Sequence, residues 1–159
     1  MSTGSDGSRS RPPSGPFVGS MTRLVWQWVR REIYIEVIEA GFDDLKPAHV
    51  GIFRYPTAEG MRPVEVADEM QITKQSVNEL LGHLEQHGYL VREPDPTDSR
   101  SKRIRLTRKG RHLENVVWTA AARAEQKAGE LLGKKRLQDL RRSLGDLVAL
   151  LPDQRERIT

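Results

Sequence analysis

The feature that most constrains this chain is the run over residues 99–113, which carries seven Lys or Arg residues and no acid. Arg100, Lys102, Arg103, Arg105, Arg108, Lys109 and Arg111 supply the charge. Inside it, Arg103-Ile104-Arg105-Leu106 alternates basic and apolar residues, the period of a strand with one covered face. Residues 89–93 have the composition of a partner strand, and Pro94-Asp95-Pro96-Thr97-Asp98 between them is made of turn formers. The spacing predicts a hairpin over 89–106 with Arg100 at its tip. Crowding this much positive charge onto one hairpin costs self-repulsion, which a polyanion such as the DNA backbone relieves.

Just upstream, Pro63 fits the first turn of a short helix over 63–70, with Val64, Ala67 and Met70 inward. Gln71-Ile72-Thr73 forms a tight turn, and Thr73 is the N-cap of a helix over 74–87. Val77, Leu80, Leu81 and Leu84 fall at i, i+3, i+4 and i+7, so they make its buried stripe. That leaves Lys74, Gln75, Asn78 and Glu79 on the exposed side, with Ser76 near its margin. Two short helices joined by a tight turn and followed by a basic hairpin have the layout of a winged helix-turn-helix.

The flanks are helical. Residues 1–20 are rich in Ser, Gly and Pro and are expected to be a disordered tail. Thr22 is placed to cap a helix running to Ala40, with Gly41 as its stop. Leu24, Val25, Trp28, Ile35 and Ile38 lie near one face, while Trp26, Val29, Ile33, Tyr34 and Val37 spread apolar surface around the rest. Such a helix packs on its own domain and on a partner at once. Pro47 opens another helix, to about Tyr55. Thr107 caps a long fifth helix with Val116, Val117, Ala120, Ala124, Ala128 and Leu131 as its stripe, ending near Gly133. In the sixth, Leu137, Leu140, Leu144, Leu147 and Leu151 alternate spacings of three and four, a seam that a second helix surface fills. The fold class is therefore mainly α with a small β-hairpin wing. A single domain is expected over 21–151, with a DNA-binding lobe at about 45–107, dimerisation helices at about 22–40 and 108–151, and a C-terminal tail over 152–159.

Apolar residues make up 36% and charged residues 30%, a low apolar share for a self-sufficient monomer and consistent with a core completed by a second copy. With no cysteine there is no disulfide, thiol switch or Cys-ligated zinc. No apolar run reaches the roughly 18 residues of a membrane span, and no apolar signal core opens the chain, so a cytoplasmic, nucleoid-associated protein is expected. No Gly-rich phosphate loop, nucleophile elbow or convincing carboxylate pair marks an enzyme, and no cofactor is implied. His83 and His87 stand four apart on one helix face, but a third metal ligand is not evident. A winged helix that meets an acidic protein rather than DNA stays open as an alternative.

Four stretches carry a resemblance to a known family. They are Leu45-Lys46-Pro47-Ala48-His49, Val66-Ala67 through Gln71-Ile72-Thr73-Lys74-Gln75-Ser76-Val77, Leu84-Glu85-Gln86-His87-Gly88-Tyr89-Leu90-Val91-Arg92, and a wing signature D-x-R-x5-L-T through Asp98, Arg100, Leu106 and Thr107. From about Leu24 to Leu151 the chain resembles the MarR family of bacterial winged helix-turn-helix transcription regulators. The resemblance implies a homodimer that reads an inverted repeat in double-stranded DNA, usually a repressor released by a small, often aromatic, ligand. On the recognition helix, Gln75 and Asn78 have the chemistry to read adenine and Ser76 suits either base type. Thr73 and Lys74 at its N-terminus are placed to grip phosphate, and His83 to touch the DNA backbone. Arg100 is expected in the minor groove, with Lys102 and Arg103 on phosphates and Asp98 orienting Arg100 or capping the turn. Trp26, Tyr34, His49, Phe53 and Trp118 are the candidates for an effector crevice between the dimer helices and the DNA-binding lobe. The chain departs from the family at Glu79, where many relatives carry a basic or neutral residue, and at Ser99, where Arg is common. Glu79 is expected to turn toward a basic neighbour rather than read a base.

Overall fold

In the computed structural model, residues 16–54 and 58–151 are described, and they form six α-helices and one antiparallel two-stranded sheet. Helix α1 spans Val18–Glu39, beginning four residues ahead of the expected cap. Thr22 is not an N-cap: its hydroxyl bonds back to the carbonyls of Val18 and Gly19 at 3.0 Å, the habit of a Thr inside a helix. The last residues of the expected tail, Val18, Gly19 and Ser20, are thus helical, while residues 1–15 lie outside the described set. Only Ile33 and Val37 of α1 are buried, and Phe17, Val18, Met21, Leu24 and Val25 are exposed at its start.

Helix α2, Pro47–Val50, passes into a 3₁₀ turn at Gly51–Phe53, so the second helix is shorter than its sequence suggests; Tyr55 lies outside the described residues. Helix α3, Pro63–Met70, has Pro63 in its first turn, and Glu65 accepts from the Arg62 backbone N–H at 2.7 Å. Its covered side chains are Val66 and Ala67, whereas Val64 is exposed. Eight residues are too few for apolar periodicity to choose between two adjacent faces, and packing on α4 decides. Gln71 then turns the chain in the left-handed region, with φ 54°, and its side-chain amide donates to the Asp68 carbonyl at 2.7 Å. Helix α4, Lys74–Gln86, starts with the Thr73 hydroxyl accepting from the Ser76 N–H at 3.1 Å. Val77, Leu81 and Leu84 are fully buried along it, Leu80 half-buried. His87 caps its end and Gly88, at φ 74°, turns the chain out.

Strand β1 is Leu90–Asp95 and β2 is Asp98–Leu106, both longer than expected. Leu90 faces Leu106, Arg92 faces Ile104 and Pro94 faces Lys102, but Asp95 then faces Asp98. Ser99, Arg100 and Ser101 therefore have no opposite residue and bulge out. Pro94 has no N–H to offer the ladder there, which is where pairing fails. The connecting turn is only Pro96-Thr97, and Arg100 sits in the bulge beside it rather than at the tip.

The core joins Ile33 and Val37 of α1 to Phe42, Phe53, Leu81, Leu84, Tyr89, Leu90 and Ile104, and is closed by helix α5, Arg108–Leu132, through Leu113, Val117 and Ala120. The Thr107 hydroxyl accepts from the Gly110 N–H at 3.1 Å and donates to the Gly88 carbonyl at 2.6 Å, pinning α5 to the start of the hairpin. The approach is so close that a Cβ on Gly110 would stand 2.0 Å from the Tyr89 carbonyl oxygen. Leu131, expected in the α5 stripe, is exposed beyond the core. Gly133, at φ 86°, leads into helix α6, Lys134–Leu150, which packs on α5 and has no buried residue. Gly110→Ala is expected to lower stability by about 1–3 kcal/mol through overpacking. Gly82→Ala, on α4 with nothing within 4 Å, should be neutral or stabilising. Urea denaturation of both variants checks the contrast.

Candidate nucleic-acid interface and adjoining cavity

The outer face of α4 presents Lys74, Gln75, Asn78 and Glu79 to solvent. Lys74 and Asn78 have no hydrogen-bond or ion-pair partner among the described residues. Thr73, besides capping the helix, bonds through its hydroxyl to the Ser76 hydroxyl at 2.9 Å, so Ser76 is half-buried and already engaged. The Gln75 side-chain amide donates to the Glu79 carboxylate at 3.1 Å. Glu79 does turn to a neighbour, but the neighbour is neutral, not the cation expected.

His83, expected on the DNA backbone, is already engaged within the fold. Its ring is stacked between those of His49 and His87, with centroids 4.0 Å away on each side, and its Nε2 lies 2.9 Å from the Asp44 carbonyl oxygen. A helix position alone could not reveal this, because the partner loop is 39 residues upstream. His87 Nδ1 sits 2.8 Å from the His83 carbonyl oxygen. Among the described residues no group of three or more His, Cys, Asp or Glu is arranged to hold a metal.

In the wing, acids from outside the basic run have come to meet it. Arg105 pairs with Glu93 at 3.1 Å, Lys109 with Asp44 at 3.6 Å, and Arg111 with Glu59 at 3.1 Å. Arg103, expected on a phosphate, pairs with Asp95 at 2.9 Å and donates to the Gly60 carbonyl at 2.7 Å. Arg100, Lys102 and Arg108 are left exposed and make no ion pair among the described residues, Lys102 lying only near enough to Glu85 to help Arg92 lower that carboxylate's pKa. Asp98 caps the turn: it accepts from the Arg100 backbone N–H at 3.1 Å and the Ser101 hydroxyl at 2.7 Å.

Asp95 was not singled out by the sequence, yet it organises the wing. Its side chain is fully covered and holds the Arg62 guanidinium at 2.6 Å as well as Arg103. The Thr97 backbone N–H, then the Thr97 hydroxyl, Arg103 and Arg62, hold its carboxyl far below the usual carboxylate range, against the opposing effect of burial. The available signal was Asp95-Pro96-Thr97, in which an Asp two residues before an N–H reads as a side-chain-closed turn.

A cavity of about 400 Å³ lies between α1, α2 with its 3₁₀ turn, α3 and α4, lined among others by Trp26, Arg30, Ile52, Arg54, Met70 and Leu80. Of the five effector candidates only Trp26 lines it. Phe53 is core; Tyr34 donates to the Leu45 carbonyl at 3.0 Å; His49 is buried against His83; and Trp118 is exposed, its indole donating to the Phe53 carbonyl at 3.2 Å. Arg54 and Arg30 went unnoticed in the sequence, where nothing distinguishes them from solvated charges. The Arg54 guanidinium lies 4.6 Å from the Trp26 ring centroid, and its Nε is covered without a hydrogen-bond partner among the described residues. Burial, then the charge of Arg30, push its pKa down to about 10, so it remains a cation at neutral pH.

An αL turn between two helices, a long reading helix and a bulged basic hairpin define a winged helix-turn-helix protein. Residues 43–101 match the sequence profile of the MarR family. The transcriptional activatory protein BadR of Rhodopseudomonas palustris is 31% identical over 111 residues, covering 68% of this chain and 61% of BadR. Among solved structures, the transcriptional repressor CouR bound to a 23-mer DNA duplex aligns with TM-score 0.64 and 26% identity, over 83% of this chain and 92% of that one; CouR of Rhodococcus jostii is also known bound to p-coumaroyl-CoA. A MarR-family protein of Mycobacterium tuberculosis in complex with salicylic acid shares the fold, with TM-score 0.66 at 22% identity over 84% of this chain and 98% of that one. The chain belongs to the MarR family, a family of transcriptional regulators and not of enzymes. No helix among the described residues is long and apolar enough to cross a membrane.

His49 gives the site a pH signature. Its Nδ1 accepts from the Lys46 backbone N–H at 3.0 Å, and burial, then the neighbouring His83 and Lys46, lower its pKa below 6.5. A proton therefore binds the unfolded chain more readily, so the stabilisation is complete above pH 6.5 and is lost as pH falls toward the folded-state value. His49→Gln keeps an acceptor without the titration. The urea midpoint of the wild type should fall more steeply than that of His49→Gln between about pH 7.5 and 5.5, a window set by the ordinary histidine pKa. Parallel profiles would contradict this.

Proposed function

We propose that the chain is a homodimeric regulator that reads an inverted repeat in double-stranded DNA and is released from it by a small aromatic acid. The observation that carries the DNA reading is the exposed polar face of α4, with Lys74 and Asn78 unpaired among the described residues, beside the exposed wing cations Arg100 and Lys102. A helix of this kind lays its first turn in the major groove, where Gln75 and Asn78 meet base edges and Lys74 with the capped N-terminus meets phosphate. The bulge carries Arg100 away from the hairpin toward the adjacent minor groove, and Lys102 faces the backbone. Such a protein works in the cytoplasm, on the nucleoid.

Dimerisation is supported by what α1 and α6 leave uncovered. Leu140, Leu144, Leu147, Val148, Leu150 and Leu151 are exposed along α6, and the start of α1 adds Phe17, Val18, Met21, Leu24 and Val25. A twofold partner buries the same faces on both chains and places two α4 helices in half-sites about one helical turn, roughly 10 bp, apart. An effector in the cavity would touch α1, through Trp26, and α4, through Leu80, at the same time. It can therefore favour a spacing of the two reading helices that does not fit DNA. Arg54 calls for an anion, and the Trp26 face and apolar walls for a ring. Release by the ligand makes the protein a repressor; the similarity to the activatory protein BadR supports an activator as the second reading.

Arg100→Ala is expected to weaken DNA binding, and Lys102→Ala to shallow the dependence of log K on log salt by about one unit. Fluorescence anisotropy on a labelled duplex across a salt series measures both, and unchanged binding in the two variants would count against the reading. Salicylate should quench the tryptophan fluorescence of the wild type, and Arg54→Met should weaken that binding by about tenfold, the scale of one charge-assisted hydrogen bond.

A further inference from the structure

We infer that Glu79 is a positioning residue that makes Gln75 selective for adenine. The inference rests on the DNA reading proposed for α4 and concerns what that helix discriminates. A free glutamine amide is ambidextrous: it can present its oxygen and one hydrogen, present both hydrogens, or turn over by rotation about its last torsion. Adenine offers N7 as acceptor and N6 as donor in the major groove, and guanine offers two acceptors, N7 and O6. An unrestrained Gln75 can therefore answer either purine.

Glu79 removes that freedom. It stands four residues along α4, and its carboxylate accepts from the Gln75 amide nitrogen at 3.1 Å. A carboxylate only accepts, so it holds the nitrogen end of the amide and never the oxygen end. One amide hydrogen is thereby taken, and a single donor beside a single acceptor is left for the groove. That edge complements N7 and N6 of adenine. Against guanine it sets the Gln75 oxygen opposite O6, acceptor against acceptor. No cation among the described residues competes for Glu79, and the cap bond between Thr73 and Ser76 keeps the neighbouring hydroxyls occupied. The acidic residue on a DNA-facing helix, a liability toward phosphate, thus has a use: it costs some affinity and supplies discrimination.

The test is selection from a random-sequence duplex pool at about 0.15 M salt, with the full chain as wild type, Gln75→Ala, Glu79→Ala and Glu79→Gln. Anisotropy on the selected site and on the same site with one A·T replaced by G·C then measures the discrimination. The wild type should enrich an inverted repeat with a fixed adenine in each half-site, and Gln75→Ala should lose the preference at that position. Glu79→Ala should keep the repeat but accept guanine there, with discrimination reduced about five- to tenfold, the scale of part of one bidentate contact. Glu79→Gln, whose amide can accept from the Gln75 nitrogen but can also donate to its oxygen, should restore only part of it. An unchanged base preference in Glu79→Ala, or a uniform loss of affinity at every site, overturns the inference while leaving the DNA reading intact. A wild type that enriches no motif overturns both.

Discussion

The Asp95 carboxylate is fully covered and touches three segments at once: Arg62 at the start of α3, Thr97 in the hairpin turn and Arg103 on β2. A buried charge is tolerable only when its partners satisfy it, and removing one partner leaves the rest uncompensated. The clamp therefore fixes the angle between the wing and the helix pair that carries α4. Under the proposed DNA reading that angle matters, because the bulge at Ser99–Ser101 and the face of α4 would reach two grooves together. A second tie does the same from below. Tyr89, buried at the root of β1, donates to Asp44 at 2.5 Å, and Lys109 covers its ring at 3.9 Å.

These ties explain what was and was not legible in the sequence. The helix pair and wing could be read because their signals are local: the Thr73 cap, the Val77–Leu84 stripe, Gly88, and the alternation over 103–106. The start of α1 was misplaced because Thr22 is as good a cap in isolation as inside a helix it is not. The internal partners of Arg103 and His83 are not legible because a sequence shows a charge or a ring and not its partner; Asp44 is 39 residues from His83, and Gly60 is 43 from Arg103. The basic run was read as uncompensated for the same reason. Four of its seven cations meet acids drawn from elsewhere in the chain, so the charge that faces outward is a smaller and better-defined set.

The cavity was the least legible feature. Aromatic residues suggested where a ligand would sit, but four of the five chosen belong to the core, to helix contacts or to the surface. What distinguishes the cavity is a cation out of place: Arg54, half-buried, stacked on Trp26 and with a covered Nε that has no hydrogen-bond partner among the described residues. Under the proposed reading this cation favours an anion, and cavity walls on both α1 and α4, through Trp26 and Leu80, would give such a ligand leverage over helix spacing.

The leverage exists only if α1 and α6 are shared with a second copy, so the oligomer is the central claim. Sedimentation equilibrium at micromolar concentration, with and without a selected duplex, tests it most directly. The account predicts a free protein of twice the 18.1 kDa chain mass and a complex holding two chains per duplex. A monomer of 18.1 kDa that binds DNA one chain at a time, with full affinity, would contradict it.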